Sequence, residues 1–188
     1  PQTFGLGIKE LWEIPKENHQ PGLVWHSIGW PLPQDTYGGS WLYMLGENLV
    51  SIGFVVGLDY PNPWLSPFDE FQRFKTHPMV RDVFEGAKRI GYGARAIMEG
   101  GWQSVPRLSF PGGCLVGDSA GFVNVPRIKG SHNAIKSGIM AAEAAATAIG
   151  AGRAGDELVE YKQIFDGSWV KKELKVVRNA KPLLSKFG

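Results

Sequence analysis

Residues 40–58 read SWLYMLGENLVSIGFVVGL, two apolar runs on either side of a short polar loop. The runs Ser40–Leu45 and Leu49–Leu58 have the composition of β-strands, and the loop between them has the length of a hairpin connection. Two similar runs come earlier, Ile8–Ile14 and Leu23–Trp30, and clusters of Pro, Gly and Asn separate them. The first third of the chain therefore predicts a β meander.

The next segment carries the signals of a helix start. Residues 66–69 read SPFD, in which Ser66 is predicted as the N-cap and Pro67 as the first helical residue. Residues 77–78 (His-Pro) end or kink this helix, and Met79–Phe84 predict a short second one. Three phenylalanines at i, i+3 spacing share one face of the first helix: Phe68, Phe71 and Phe74.

The remainder of the chain is predicted to be mostly helical. Residues 88–106 indicate one long strand or a strand pair, and Cys114–Val116 a short buried strand. Gly130–Ile149 is the clearest helix, in which small residues permit close packing beside one apolar stripe: Ile135, Ile139, Ala142, Ala146 and Ile149. Two further helices are predicted over residues 156–165 and 169–180. A meander combined with helices indicates an α+β or α/β fold.

Composition excludes several classes of protein. The net charge of +2 gives no electrostatic argument for nucleic-acid binding. No apolar run reaches the roughly 18 residues that a membrane helix needs. The single cysteine, Cys114, excludes a disulfide within the chain, a four-thiolate zinc site and a protein-ligated iron–sulfur cluster. The 25 glycines and seven tryptophans instead indicate close backbone approaches and large aromatic surfaces. The opening residues carry no signal-peptide pattern, and the chain reads as a piece of a longer polypeptide.

Two motif matches fail in their context. Residues 117–121 (GDSAG) fit the nucleophile elbow of α/β-hydrolases, but the residues after Ser119 cannot be helical throughout, and no acid lies between Ser119 and His132. Residues 91–96 (GYGARA) fit a dinucleotide fingerprint, yet no apolar strand precedes them and glycines interrupt the helix that should follow. A glycine-rich strand that crosses close to another backbone is the better interpretation of GYGARA.

A third group of residues remains a candidate for ligand binding. Asp118 ends a short strand, and Gly130 opens the small-residue helix twelve residues later. An acid at a strand end can bind ligand hydroxyls, and a helix N-terminus favours an anionic ring or phosphate. A buried turn followed by an ordinary helix explains the pattern equally well. His132 is either a base or a polar residue of the helix start, and the other histidines share no metal-ligand spacing.

Two aromatic segments are also candidates for ligand contact. Residues 36–41 (TYGGSW) place a Gly-Gly pair between aromatics, where bare backbone could meet a flat polar headgroup; a hairpin turn is the alternative. The run Phe54–Phe68 is apolar, aromatic and rich in proline. It either meets a membrane interface or a partner, or folds back onto the core.

Several of these blocks together resemble a known family. Residues 29–32 (GWPL), 36–40 (TYGGS), 56–60 (VGLDY), 91–96 (GYGARA) and 124–130 (NVPRIKG) occur in the same order as in electron-transfer flavoprotein:ubiquinone oxidoreductase. The resemblance covers essentially the whole chain and extends to FixC-type and geranylgeranyl-reductase flavoproteins. It implies an enzyme that carries electrons from electron-transfer flavoprotein through FAD to ubiquinone at a membrane.

The resemblance implies an α+β fold: an antiparallel or mixed sheet with helices as the quinone-binding domain over residues 1–108, and an incomplete Rossmann-like FAD-binding piece over residues 109–188. It assigns quinone binding to Tyr37, Gly38 and Gly39. It assigns FAD binding to Asp118, Gly130, Ser131, His132, Asn133 and Ala134, where the helix dipole would favour the anionic reduced ring. It assigns membrane contact to Phe54, Leu58, Tyr60, Trp64 and Leu65. No catalytic acid or base and no metal ligand is implied within this chain.

The implied partners are ubiquinone, electron-transfer flavoprotein and a monotopic membrane surface, either the mitochondrial inner membrane or the inner face of a bacterial cytoplasmic membrane. A 4Fe-4S cluster is implied for the parent chain only, with no ligands here. Because the FAD phosphate-binding segment of the family is missing, the piece is expected to be inactive alone. The alternatives are a FAD-dependent prenyl or lipid reductase, and a non-catalytic membrane- or partner-binding module.

Overall fold

The computed structural model describes residues 2–187, which form two compact units. The first unit is Phe4–Ile97, and the second contains Met98–Lys186 together with Gln2 and Thr3. The sequence placed the division at residue 108, but residues 98–108 pack in the second unit. Trp102 stacks on Phe165 with ring centroids 6.5 Å apart, and Leu108 belongs to the same apolar cluster.

A five-stranded sheet forms the first unit. Its strands lie in the order β2-β3-β4-β1-β5, with the bounds β1 (Phe4–Glu13), β2 (Val24–Ile28), β3 (Gly38–Met44), β4 (Leu49–Gly57) and β5 (Lys88–Met98). The hairpin predicted from residues 40–58 is confirmed: β3 and β4 pair antiparallel, with Ser40 opposite Phe54. Residues 88–98 form one strand rather than a pair, and GYGARA lies inside it, as the strand interpretation of that motif predicted. The predicted close approach to another backbone is wrong, because no backbone atom lies within 4 Å of where a Cβ of Gly91 or Gly93 would be.

Helices cover one face of this sheet. Helix α1 (Pro67–Lys75) begins as predicted, since the Ser66 hydroxyl accepts a hydrogen bond from the Asp69 N–H at 3.3 Å, and α2 (Pro78–Arg81) follows. Phe71 and Phe74 are buried against Phe54 of β4, with ring centroids 6.1 and 5.6 Å from it. Phe68 departs from the predicted face and is 53% exposed.

The second unit is built around one long helix. Two short strands, β6 (Ser109–Phe110) and β7 (Gly113–Cys114), pair with each other, so the strand predicted at residues 114–116 is shorter and starts earlier. The helices are α3 (Ser131–Gly150), α4 (Val159–Gly167), α5 (Trp169–Val176) and α6 (Ala180–Phe187). The helix predicted over residues 169–180 begins as predicted but ends at Val176, and α6 is a further helix that the sequence did not predict. No helix within residues 2–187 is long and apolar enough to cross a bilayer.

The buried side of α3 is not its apolar stripe. All five stripe residues are exposed, and Ile135 and Ile149 reach 67% and 65%. The side packed inside the unit is made of small and polar residues and one large apolar residue, Met140; the others are Asn133, Ser137, Ala141, Ala144 and Ala148. Small side chains let a neighbouring backbone approach closely, as where the Gly117 N–H donates to Ser137 Oγ at 2.9 Å. In this helix, close approach rather than apolar periodicity decides which side is buried.

Candidate functional site

The start of β3 carries the predicted quinone-binding residues. Gly38 and Gly39 lie in a strand rather than in the alternative hairpin turn, opposite Val56 and Val55 of β4. A Cβ at Gly39 would overlap the carbonyl oxygen of Ser27, and one at Gly38 would overlap that of Val55. The neighbouring strands therefore come so close that only glycine fits at either position.

Tyr37 stands immediately before this strand. Its carbonyl accepts a hydrogen bond from the Gly57 N–H at 2.8 Å, which continues the pairing of β3 with β4. The Asp59 carboxylate also lies near Gly57, with Oδ1 3.0 Å from where a Cβ of Gly57 would be. Tyr37, Gly38 and Gly39 thus lie at one end of the sheet, next to the start of the loop that follows β4.

The aromatic, proline-rich run after β4 is only partly exposed. Trp64 is 91% exposed and Leu58 44%, whereas Tyr60 packs against the core. Phe54 and Leu65 are buried, at 1% and 8%, because they pack in the cluster between the sheet and α1. These two residues cannot touch a membrane surface, so their assignment to membrane contact is corrected. Sequence reasoning also missed an exposed apolar residue of the same unit, Met79.

In the second unit, the structure brings Asp118 next to the start of α3. Asp118 lies in a 3₁₀ turn, Gly117–Ala120, whose first residue has a φ of +57°. A Cβ on Gly117 would lie 2.9 Å from Cβ of Ala134, so this turn sits directly against the first turn of α3. The Asp118 carboxylate accepts hydrogen bonds from the Met98 N–H at 3.2 and 3.4 Å. A carboxylate has further lone pairs, so it can still accept from a ligand.

The first turn of α3 offers donors of its own. Gly130 is the N-cap, and no side chain in the described part of the chain caps the helix. The N–H groups of Ser131, His132 and Asn133 lie in the first turn, where a helix supplies no backbone partner. Asn133 is fully buried, and its Oδ1 has no hydrogen-bond partner among residues 2–187. A buried amide oxygen without a donor is costly, so this atom is available to accept a hydrogen bond from a ligand group.

Sequence reasoning missed Glu173, which lies beside this turn. Its Oε1 accepts from Asn124 Nδ2 and His132 Nε2, both at 2.8 Å, and from Asn133 Nδ2 at 3.4 Å. Burial raises the pKa of Glu173, but these hydrogen bonds outweigh burial, so that its pKa lies below the ordinary value. Because an ionised carboxylate only accepts, the Nε2 atom of His132 carries the hydrogen. His132 is thus tied to α5 through its Nε2 atom.

Comparison with known proteins decides the family. A family model described as ETF-QO, ubiquinone-binding matches residues 4–97, which are half of the chain and coincide with the first unit. The chain belongs to the ETF-QO, ubiquinone-binding family. The resemblance inferred from the sequence is thereby confirmed.

Curated relatives of this family match nearly all of the chain. The mitochondrial electron transfer flavoprotein-ubiquinone oxidoreductase of Homo sapiens is 56% identical over 97% of the chain and 31% of its own length. Probable enzymes of that name from Acinetobacter baylyi and Schizosaccharomyces pombe are 50% and 51% identical over all of it, and 36% and 30% of their own lengths. The chain therefore spans about a third of the length of these relatives.

Solved structures support the fold. A geranylgeranyl bacteriochlorophyll reductase-like protein from Thermoplasma acidophilum aligns with a TM-score of 0.73 and 19% identity, over 97% of this chain and 44% of that one. A flavin-dependent brominase aligns with a TM-score of 0.63 and 17% identity, over 98% of this chain and 44% of that one. At these identities the likeness concerns the fold alone, and it confirms the predicted α+β architecture.

Proposed function

We propose that this chain forms the quinone-binding part and one side of the flavin site of an enzyme that carries electrons from electron-transfer flavoprotein through FAD to ubiquinone. The coincidence of the ubiquinone-binding family match with the whole first unit carries this proposal. The names of relatives at 50–56% identity support the complete reaction. The reaction belongs to the full-length protein, of which this chain supplies about a third.

Ubiquinone would bind at the end of the sheet where Tyr37 leads into β3. Because Gly39 is paired with Ile28 on one side and Val55 on the other, contacts from the backbone to a headgroup would come from the Tyr37–Gly38 end. Successive strand residues face opposite sides of the sheet, so each glycine leaves bare backbone on one face only. At Gly38 that face is filled by Cδ1 of Leu32, so a planar ring would lie against the face at Gly39. The Tyr37 ring, 3.4 Å from where a Cβ of Gly57 would stand, offers an aromatic wall beside it.

The start of α3 fits a flavin. FAD supplies the redox chemistry when bound, and the chain supplies position and electrostatics. The first-turn N–H groups of Ser131, His132 and Asn133 would donate to the ring, and the positive helix end would favour its negative charge. The Oδ1 atom of Asn133 lacks a hydrogen-bond donor, and a flavin ring N–H could provide one. Asp118 would accept from hydroxyls of the cofactor chain, and Gly130 and Ala134 would allow the ring to come close.

Membrane contact would come from the exposed part of the loop after β4, Leu58 and Trp64, with Tyr60 beside them. The relatives named mitochondrial support the mitochondrial inner membrane as one setting, and the bacterial relative supports a bacterial cytoplasmic membrane as another. A 4Fe-4S cluster, where the parent protein carries one, would take its ligands outside this chain, whose single cysteine is Cys114.

The proposal is tested with the full-length protein. Purified protein should show flavin absorbance, accept electrons from electron-transfer flavoprotein and reduce ubiquinone-1. Tyr37→Ala should raise KM for ubiquinone-1 roughly tenfold, the effect of losing a stacked ring, while FAD content stays unchanged. Tyr92→Ala, which removes an 80% exposed ring from β5, is the matched control and should leave KM unchanged. FAD-loaded protein that does not reduce ubiquinone-1 would refute the proposal.

A further inference from the structure

The loop before α3 and the first turn of that helix are both tied to one carboxylate on α5. We propose that Glu173 is a positioning residue that fixes the first turn of α3 for the flavin by binding the side chains of Asn124, His132 and Asn133 at once. The inference rests on the proposed function in one respect, because it assumes that FAD is the ligand bound at this turn. The hydrogen bonds themselves do not depend on that function.

Two of the donors are buried amides. Asn124 and Asn133 are both 0% exposed, and each donates from Nδ2 to Glu173 Oε1. Asn133 has a second acceptor, the carbonyl of Phe122, at 2.9 Å. Loss of the carboxylate would leave the Asn124 amide without its acceptor, and a buried unpaired donor costs about 1–3 kcal/mol. Asn124 must therefore find another acceptor when Glu173 is lost, whereas Asn133 keeps the Phe122 carbonyl.

Asn124 also makes the hydrogen bonds that shape the loop before α3. Its backbone N–H donates to the Lys129 carbonyl at 2.9 Å, and its Oδ1 accepts from the Arg127 N–H at 3.3 Å. These bonds close residues 124–129 into one turn, directly before the N-cap Gly130. The place where α3 begins is therefore set by how Asn124 is held, and Glu173 holds it.

His132 is held twice by α5. Trp169 and Glu173 are four residues apart, and so lie on one face of that helix. The imidazole stacks on the Trp169 indole at 5.8 Å with an interplanar angle of 6°, while Nε2 donates to Glu173. Since α3 lacks a side-chain cap in the described structure, these two contacts of His132 with α5 do much to hold the first turn of α3 in place. The N–H groups proposed to face the flavin would move with it.

Three variants of the full-length protein test the inference. Glu173→Ala removes the acceptor, and Glu173→Gln keeps an acceptor oxygen but removes the charge. Glu157→Gln is the matched control, because Glu157 belongs to the same unit and binds Arg107 and Ser109 instead. The first readout is amide hydrogen exchange over residues 122–134 in protein freed of FAD. The second is the dissociation constant for FAD, and the third is its midpoint potential.

We expect Glu173→Ala to speed exchange of residues 122–134 at least about tenfold and to weaken FAD binding by a similar factor, which corresponds to ~1.4 kcal/mol. Glu173→Gln should keep both within about threefold and raise the midpoint potential, because the reduced ring loses a neighbouring like charge. Glu157→Gln should change none of the three.

Exchange and FAD affinity that are the same in Glu173→Ala as in Glu157→Gln would overturn the inference. Should Glu173→Ala fail to fold, exchange of residues 122–134 that is more than tenfold faster in Glu173→Gln than in Glu157→Gln would overturn it, because the Gln variant keeps the acceptor oxygen. If the wild-type protein binds no FAD, the proposed function fails, and the exchange of residues 122–134 still decides whether Glu173 positions them.

Discussion

Gly39 shows how little room the sheet leaves at the start of β3. It is paired with Ile28 on one side and Val55 on the other, and a Cβ there would overlap the Ser27 carbonyl oxygen. Backbone cannot move aside as a flexible side chain can. The glycine is therefore required by strand pairing, whether or not a ligand also lies against it.

Gly39→Ala should lower the free energy of unfolding by about 2–4 kcal/mol, because β2 must separate from β3 to admit the methyl group. Gly93→Ala is the control: no atom lies within 4 Å of its Cβ position, so that change should stay within about 0.5 kcal/mol. Denaturant unfolding of both variants measures the difference. Equal stability of the two would show that β2 and β3 are not in such close contact.

Glu10 is a buried charge with three donors. It lies on β1 at 2% exposure and accepts from Lys75 Nζ at 2.7 Å, Trp12 Nε1 at 2.8 Å and Arg89 at 3.1 Å. Burial raises the pKa of Glu10, but the hydrogen bond from Lys75 and the other contacts outweigh it, so the pKa lies below its ordinary value of 4.5. The carboxylate thereby joins α1 and β5 to β1.

Because its folded-state pKa is lowered, Glu10 stabilises the folded protein at pH values above about 4.5 and loses that contribution as the pH falls through the folded pKa. Glu10→Gln should cost about 1–3 kcal/mol at pH 7, since Lys75 loses its buried partner. The stability gap between wild type and variant should narrow below pH 4.5, which unfolding curves at pH 7, 5 and 3.5 would reveal. A gap that is independent of pH would contradict the lowered pKa.

At the scale of elements, α1 is set by its N-cap. Ser66 holds the first turn through its hydroxyl, and the same helix buries Phe71 and Phe74 over the sheet. The cap therefore also fixes which aromatic residues reach the core.

Ser66→Ala should lower stability by about 1 kcal/mol through loss of the cap, and Ser66→Asp should restore it, because a carboxylate also accepts from the Asp69 N–H. Thermal unfolding of the three proteins is the measurement. If Ser66→Asp is no better than Ser66→Ala, the hydroxyl contributes through something other than capping.

The sequence predicts an element correctly where neighbouring residues determine its structure. It does not predict which residues are buried or paired where contacts between distant parts of the chain determine this. The hairpin of β3 and β4 and the start of α1 each depend on a few adjacent residues, and both are confirmed. The buried side of α3 was not predictable, because a helix with small residues on one side can pack closely there and leave its isoleucines outside. Nor could Glu173 be found, since its partners lie 40 to 49 residues earlier in the chain. The burial of Phe54 and Leu65 likewise depends on α1, which comes after them.

At the scale of the whole molecule, each unit has its own apolar core. The first contains the proposed quinone residues and the exposed loop, and the second contains Asp118, the start of α3 and Glu173. A chain divided in this way predicts that surface changes in one unit leave the stability of the other unaffected.

Trp64→Ser should weaken binding of the full-length protein to phospholipid vesicles about tenfold, the effect of withdrawing one large aromatic residue from an interface. Val176→Ser, which changes an 80% exposed residue of the second unit, is the control. Neither should alter the unfolding temperature, because both side chains are already exposed. Vesicle sedimentation gives the bound fraction, and equal binding of wild type and Trp64→Ser would rule out this residue as a membrane contact.

The first unit begins with β1 and ends with β5, which are neighbours in its sheet. Just outside it, the Glu99 N–H donates to the Thr3 carbonyl at 2.8 Å, so the chain leaves beside the point where it entered. The first unit therefore leaves and rejoins the rest of the chain at one place, through the adjacent strands β1 and β5. A unit whose two ends lie together can be replaced or lengthened without moving the chain on either side of it.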